Sequence, residues 1–245
     1  MSELAQASTR SAAYFDLYWR QRFNPASYRR RLNSLVRNYS SYLPAPPARV
    51  IEIGPGFGEL LELLRDRHLD VEAVDIDAEL IEALRARGFD GVHAVEDTMA
   101  YLRSRAGVFH CVVALHVLEH FEPAAGADLL AAAYEALTPG GRIIIEVPNM
   151  ANFITAPYAR WADYTHRTGF TQESLGAALG AAGFAVERTF GVARPVRSFS
   201  ELAAWCGQFL TQSIVWTLLK ANYPQARIVA APAISAIGVK AVARR

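Results

Sequence analysis

Two short stretches of this chain place imidazoles beside carboxylates, a combination that can move protons or hold a cation. His116-Val117-Leu118-Glu119-His120 is the first, and Asp163-Tyr164-Thr165-His166, followed by Gly169-Phe170-Thr171, is the second. Imidazole titrates near pH 6.5, so it is largely neutral and basic at working pH. His120 and His166 are therefore candidate catalytic residues that deprotonate or position an acceptor hydroxyl. The same donors suit a divalent cation, and His116, Glu119, His120 and His166 form the alternative metal set, although the favoured reading has no metal. His116 alone reads as a structural histidine hydrogen-bonded at a strand end. H-x-x-E-H also matches a zinc-protease motif, but that motif needs a helix to bring both histidines to one face. Here it follows the β-rich run FHCVVAL, which delivers the residues to a loop and argues against a protease.

A second kind of chemistry is written in Glu52-Ile53-Gly54-Pro55-Gly56-Phe57-Gly58. Gly54, Gly56 and Gly58 allow a tight turn and a close approach of backbone to ligand. The spacing departs from the G-x-G-x-x-G/A dinucleotide fingerprint, because Gly58 comes one position early. Glu52 and Glu59 flank the loop, with no Lys or Arg inside it. A pyrophosphate is disfavoured by such carboxylates, whereas a ligand with a positively charged amino-acid end is suited. Asp75 lies at the tip of the second strand candidate, about 20 residues beyond the loop, where an acid accepts from ribose hydroxyls. Asp97 follows the third strand candidate, placed to reach an adenine amino group, and is alternatively a helix cap. Thr98 beside it and Leu115 at the end of the fourth strand candidate complete the expected cofactor set.

These residues need a scaffold, and the pattern supplies one. From Arg49 onward, RVIEI, VEAVD, GVHAV, FHCVVAL and RIIIEV alternate with amphipathic segments at Glu59–Arg67, Ala78–Arg87 and Ala124–Leu137. Such alternation predicts a doubly wound α/β domain with a mostly parallel sheet covered on both faces. Asp77 and Thr171 are candidate N-caps, and Thr138-Pro139-Gly140-Gly141 is expected to break the chain before the fifth strand. FAVERTF and AIGVKAVA are later strand candidates, giving a seven-stranded Rossmann-like sheet. The expected organisation is one domain over 1–245: a helical extension or lid at 1–48, a cofactor-binding core at 49–150, and an acceptor side at 151–245 with a helical insertion at about 193–232.

Composition bounds the rest. The 245 residues are 52% hydrophobic and carry a net charge of only +1, which excludes a largely disordered chain and argues against nucleic acid as partner. Between Leu17 and Ile51 there is no acidic residue, yet Arg20, Arg22, Arg29, Arg30, Arg31, Arg37 and Arg49 fall there. Guanidinium forks match phosphate and carboxylate, so Arg29 and Arg30 are candidate contacts to an anionic acceptor, with Trp19, Phe23, Tyr28 and Tyr39 as a lid. The alternative is a solvated helix face whose arginines pair with acids elsewhere. Two separated cysteines, no secretory leader and no apolar run near the roughly 20 residues of a membrane span predict a cytoplasmic protein. The aromatic insertion adds peripheral contact with the inner membrane face as a second expectation, and the oligomeric state stays open.

The segments EIGPGFGELLELL, VEAVDID, HAVEDTMAYL, VFHCVVALHVLEHF and LTPGGRIIIEVPN resemble, in order and spacing, the signature segments of class I S-adenosylmethionine-dependent methyltransferases from about Arg49 to Asn149. The resemblance implies S-adenosylmethionine as cofactor, with Asp75 on the ribose, Asp97 at the adenine, the glycine loop facing the methionine portion, and an antiparallel final strand. His110 stands where the family usually has Asp. The V-L-E-H phrase and the D-x-T-H…F-T segment are similar to those of bacterial enzymes acting on sugars, polysaccharides and ubiquinone intermediates. That second segment must close over the substrate, which makes Tyr164 and Thr165 candidate acceptor contacts and places His166 near His120. The implied reaction is methyl transfer to a hydroxyl of a glycan or other small hydroxylated acceptor. Alternatives are a quinone-type phenol acceptor, an N-methyl acceptor, and a catalytically inactive cofactor-binding partner protein or membrane-surface module.

Overall fold

A computed structural model describes residues 24–193, 196, 198–224 and 229–242. Trp19 and Phe23 of the expected lid, with Arg20 and Arg22, lie outside them. The described chain opens with α1 (Pro25–Tyr39), where Asn24 Oδ1 accepts from the Ala26 N–H at 2.8 Å and Pro25 occupies the first turn. There follow β1 (Arg49–Ile53), α2 (Glu59–Asp66), β2 (Asp70–Asp75), α3 (Ala78–Ala86), β3 (Val92–Ala94), α4 (Thr98–Arg103) and β4 (Phe109–Leu115). A short 3-10 turn (Leu118–His120) leads to α5 (Pro123–Ala136), β5 (Leu137–Pro148), α6 (Ala156–Trp161) and α7 (Gln172–Ala181). The chain then forms β6 (Ala185–Gly191), α8 (Phe199–Asn222) and β7 (Ala233–Val239).

The strands form one sheet in the order β3-β2-β1-β4-β5-β7-β6, and β7 runs antiparallel to both of its neighbours. Chain progression reverses between β1 and β4, and the crevice above that point is where open α/β sheets bind ligands. Alternation along the strands covers both faces. Val50 and Val113 pack with Leu35 and Tyr39 of α1 and Leu60 and Leu64 of α2, whereas Ile51 and Val112 pack with Leu129 and Ala133 of α5 and Leu175 and Leu179 of α7. Burying each such aliphatic side chain contributes roughly 1.5–3 kcal/mol. The helical extension is thus part of the core.

Two expectations are corrected in detail. Thr138–Gly141 does not break the chain before β5. Phe109 pairs with Leu137 and Cys111 with Arg142, so these residues bulge within one long strand, with Gly140 at φ +78°. The last strand starts at Ala233 and ends at Val239, ahead of the expected AIGVKAVA, because Ile234 and Ala236 face the core. The insertion contains one long helix, α8, among the described residues. Asp77 and Thr171 cap α3 and α7 as expected, Asp77 Oδ1 accepting from Glu79 N–H and Thr171 Oγ1 from Ser174 N–H.

Candidate active site

A cavity of about 800 Å³ opens over the carboxyl ends of β1, β2 and β4. Its floor is the glycine loop. Gly54, Gly56 and Gly58 all have positive φ, and a Cβ at Gly54 would stand 2.7 Å from Val117 Cγ2, so this turn and the loop after β4 approach as closely as glycine permits. Gly54 and Gly56 line the cavity, whereas Gly58 turns the chain into α2.

Glu52 lines the same cavity yet is only 3% exposed, and its Oε2 has no hydrogen-bond partner among the described residues. Burial pushes its carboxyl well above the ordinary range, with Glu59 and Asp75 adding repulsion. A buried acid oxygen left without a donor is costly, and a cationic or N–H-bearing ligand group would satisfy it. Asp75 sits at the β2 tip. Its Oδ1 accepts from the Asp77 N–H at 2.9 Å, and burial raises its pKa to about 6. Thr98 and Leu115 also line the cavity. Asp97 is instead engaged as the cap of α4, its Oδ1 accepting from the Ala100 N–H at 2.9 Å, and it is not among the lining residues.

On the opposite side stands a charged cluster that the sequence does not announce. Glu146, 1% exposed near the end of β5, receives Arg31 Nη1 at 2.8 Å on Oε1, His116 Nε2 at 2.8 Å on the same oxygen, and the Tyr39 hydroxyl on Oε2. Burial alone would raise the Glu146 pKa, but Arg31 and His116 outweigh it and hold the carboxyl far below its usual range. His116 Nδ1 faces Glu119 Oε1 at 3.1 Å. Burial lowers the His116 pKa and the two carboxylates more than reverse this, leaving it at about 9, so the ring is an imidazolium at neutral pH. Its φ of +59° is strained for a non-glycine residue. The expectation of a hydrogen-bonded histidine at a strand end describes it.

Arg31, not Arg29 or Arg30, reaches the cavity. Arg29 and Arg30 are exposed, and Arg30 bonds within its own helix to Ala26 O and Ser27 Oγ. The reason is helical phase: Asn24, Ser27, Tyr28, Arg31 and Leu35 share the face that lines the cavity. Arg31 makes a single hydrogen bond among the described residues, leaving guanidinium N–H groups free for a ligand.

The two histidine segments meet as expected. Arg167 and Thr168 N–H groups donate to Glu119 O at 2.8 and 3.1 Å, stitching the Asp163–Thr168 segment onto the 3-10 turn. The His120 and His166 rings then meet edge-on with centroids 4.8 Å apart. His120, Tyr164 and Thr165 line the cavity; His166 does not, and its pKa is lowered chiefly by burial. His120 Nδ1 lies 2.8 Å from Thr165 Oγ1. Ligand atoms of Glu119, His120 and His166 all fall within 4.8 Å of one another, while His116, the fourth member of the alternative metal set, is taken up by Glu119 and Glu146.

A sheet of this order with a glycine loop, an acid at the β2 tip and a second set of polar side chains facing them is the architecture of class I methyltransferases. The chain belongs to the methyltransferase domain family, whose model matches residues 18–189. It is 31% identical over 155 residues to a ubiquinone biosynthesis O-methyltransferase of Xylella fastidiosa strain 9a5c; the match covers 59% of this chain and 61% of that protein. The chain therefore spans about three-fifths of the length of that curated relative. Among solved structures it is similar to an S-adenosylmethionine-dependent methyltransferase from Archaeoglobus fulgidus, with TM-score 0.63 and 23% identity over 93% of this chain and 98% of that one. It also resembles a Burkholderia thailandensis 1,6-didemethyltoxoflavin-N1-methyltransferase with bound 1,6-didemethyltoxoflavin and S-adenosylhomocysteine. There the TM-score is 0.59 and the identity 18%, over 98% and 92% of the two chains.

Proposed function

We propose that the protein transfers a methyl group from S-adenosylmethionine to a hydroxyl oxygen of a glycan or other small hydroxylated acceptor. The observation that carries this reading is the single cavity that joins the glycine loop and Asp75 to His120, Tyr164 and Thr165. The donor side fits the cofactor. Glu52 Oε2 is poised for the ammonium group, the unused N–H groups of Arg31 for the carboxylate, and Asp75 for the ribose hydroxyls, with Thr98 toward the base. When bound, S-adenosylmethionine supplies an electrophilic sulfonium methyl and leaves as a neutral thioether. The protein's share is orientation and removal of the acceptor proton. His120 is the base best placed for that proton, and His166 stands behind it as a neighbour of the ring.

The acceptor class rests on a lining that sets Phe121 and Tyr164 beside the polar groups of His120 and Thr165, and the Xylella relative's name supports a quinone-type phenol as the alternative acceptor. Calorimetry with S-adenosylmethionine, followed by mass spectrometry of hydroxylated metabolite and glycan fractions incubated with enzyme and cofactor, tests the reading. Cofactor binding with methyl gain on an oxygen supports it. Binding without turnover across the panel replaces it with a cofactor-binding partner protein, and methyl gain on nitrogen corrects the acceptor atom.

A second reading has one observation in its favour. Glu119 is 2% exposed and its Oε2 lacks a partner, beside His120 and His166. Those three side chains would hold a divalent cation that binds the acceptor oxygen directly, in place of proton abstraction by His120.

No helix of the described residues is long and apolar enough to cross a membrane. Peripheral contact has support from α8, where Phe199 is 86% exposed and Leu210, Ile214 and Leu218 are each 64% exposed. The Thr211, Ser213 and Thr217 hydroxyls of that helix donate back to carbonyls four residues earlier, so they need no water.

A further inference from the structure

We propose that Asp163 and Thr165 are positioning residues that lock His120 in its Nδ1–H tautomer, so that the Nε2 lone pair faces the cavity. This deepens the reading of His120 as the base. Thr165 Oγ1 lies 2.6 Å from Asp163 Oδ1 and 2.8 Å from His120 Nδ1. A hydroxyl has one proton to give. The backbone N–H of Thr165 also donates to Asp163 Oδ1, so that oxygen presents its lone pairs to both Thr165 donors. The Thr165 proton therefore goes to Asp163. Oγ1 is left to accept, and the atom facing it, His120 Nδ1, must donate.

The chain of bonds thus runs one way, from His120 Nδ1–H to Thr165 Oγ1 and from Thr165 Oγ1–H to Asp163 Oδ1. A neutral imidazole carries its remaining lone pair on the other nitrogen. Nε2 makes no hydrogen bond among the described residues, and the ring lines the cavity. When the ring takes up a proton at Nε2 from an acceptor O–H, positive charge develops on the imidazole while its other N–H already donates to an oxygen backed by a carboxylate. This is how a buried acid orients and supports a catalytic histidine, here with a hydroxyl interposed. The Asp163 carboxylate also fixes the turn that carries the hydroxyl, because its Oδ1 accepts the Thr165 N–H at 2.9 Å.

Long-range proton–nitrogen NMR of the full chain reads the tautomer directly and needs no acceptor. Wild-type His120 is expected to show a protonated Nδ1 and an unprotonated Nε2. Thr165→Ser should keep that pattern. Thr165→Val should give averaged nitrogen shifts, and Asp163→Ala should move the proton toward Nε2, because the Thr165 hydroxyl, with no Oδ1 to donate to, is then free to donate to Nδ1. Unchanged S-adenosylmethionine affinity by calorimetry and an unchanged amide spectrum away from the segment verify that the variants are folded. A wild-type His120 protonated at Nε2, or a tautomer indifferent to both Thr165→Val and Asp163→Ala, overturns the proposal. Turnover by His120→Ala decides separately whether the ring is the base, so failure of that reading is distinguishable from failure of the lock.

Discussion

Arg31 Nη1 lies 2.8 Å from Glu146 Oε1, joining the helical extension to the end of the fifth strand across 115 residues of sequence. The pair is buried on the Glu146 side and faces the cavity on the Arg31 side. Arg31→Met is expected to lower stability by less than the roughly 3–5 kcal/mol typical of stranding a buried charge, because Glu146 keeps His116 and Tyr39 as partners. The same variant should weaken S-adenosylmethionine by about tenfold while sparing 5′-methylthioadenosine, which lacks the carboxylate. Arg29→Gln with Arg30→Gln should leave both affinities alone. Calorimetry on the two ligands decides, and equal losses for both would remove the carboxylate role.

His116 has a pH signature of its own. Its folded-state pKa of about 9 stands above its ordinary value of 6.5, so its protonation contributes stability fully below about pH 6.5, and that contribution is lost as pH rises through about 9. The difference in Tm between wild type and His116→Asn should therefore be largest near pH 6 and shrink toward pH 9.5. A difference that does not change with pH would mean that the imidazolium adds nothing.

The Asp75 pKa is raised too, but by burial, which disfavours its charged form. With a pKa of about 6 it is an anion near neutrality, the form that would accept from ribose hydroxyls under the proposed function. S-adenosylmethionine affinity should fall as pH drops through about 6, and Asp75→Ala should cost on the order of 1–3 kcal/mol of binding. Unchanged affinity in the variant would sink the ribose assignment.

His120→Ala is expected to lower kcat by about a hundredfold or more with cofactor affinity intact. His166→Ala should have a smaller effect, because His166 is not on the cavity wall. Chelation separates the base from the cation reading. Activity that survives exhaustive EDTA dialysis fits the base. Loss restored by Mg²⁺ or Mn²⁺, and abolished in Glu119→Gln, would establish the cation instead.

Flotation with liposomes of anionic and neutral composition tests α8. Replacing Leu210, Ile214 and Leu218 with Ser should abolish any co-flotation while leaving S-adenosylmethionine affinity unchanged. Wild-type protein that stays at the bottom of the gradient in both compositions would exclude a membrane role for this face.

The sheet was legible because its strands are short β-rich runs between amphipathic helices, and the donor loop because glycines and carboxylates sit at fixed offsets from a strand end. The meeting of His120 with His166 followed from the topology, since both segments leave the sheet at the same edge. Asp97 was ambiguous for a physical reason: an acid just before a helix can serve a ligand or the helix, and here its Oδ1 serves the helix. Arg31 was hidden among neighbours of the same type. Its signal was phase, because Tyr28, Arg31 and Leu35 repeat at helical spacing whereas Arg29 and Arg30 do not share their face. The bulge at Thr138–Gly141 was missed because Pro and Gly usually end strands, and only cross-strand register reveals that this one continues.

The burial of Tyr39 and Leu35 against Val50 and Ile144 bears on how this protein can be rebuilt. A chain started at Arg49 would not be a trimmed catalytic core. It would expose one side of the central strands, strip Glu146 of its guanidinium and its phenol, and remove from the cavity the wall formed by Ser27, Tyr28, Arg31 and Leu35. Helix α1 is better regarded as part of the fold than as an appendage, and a chimera that borrows this β5 would need a helix to match its carboxylate.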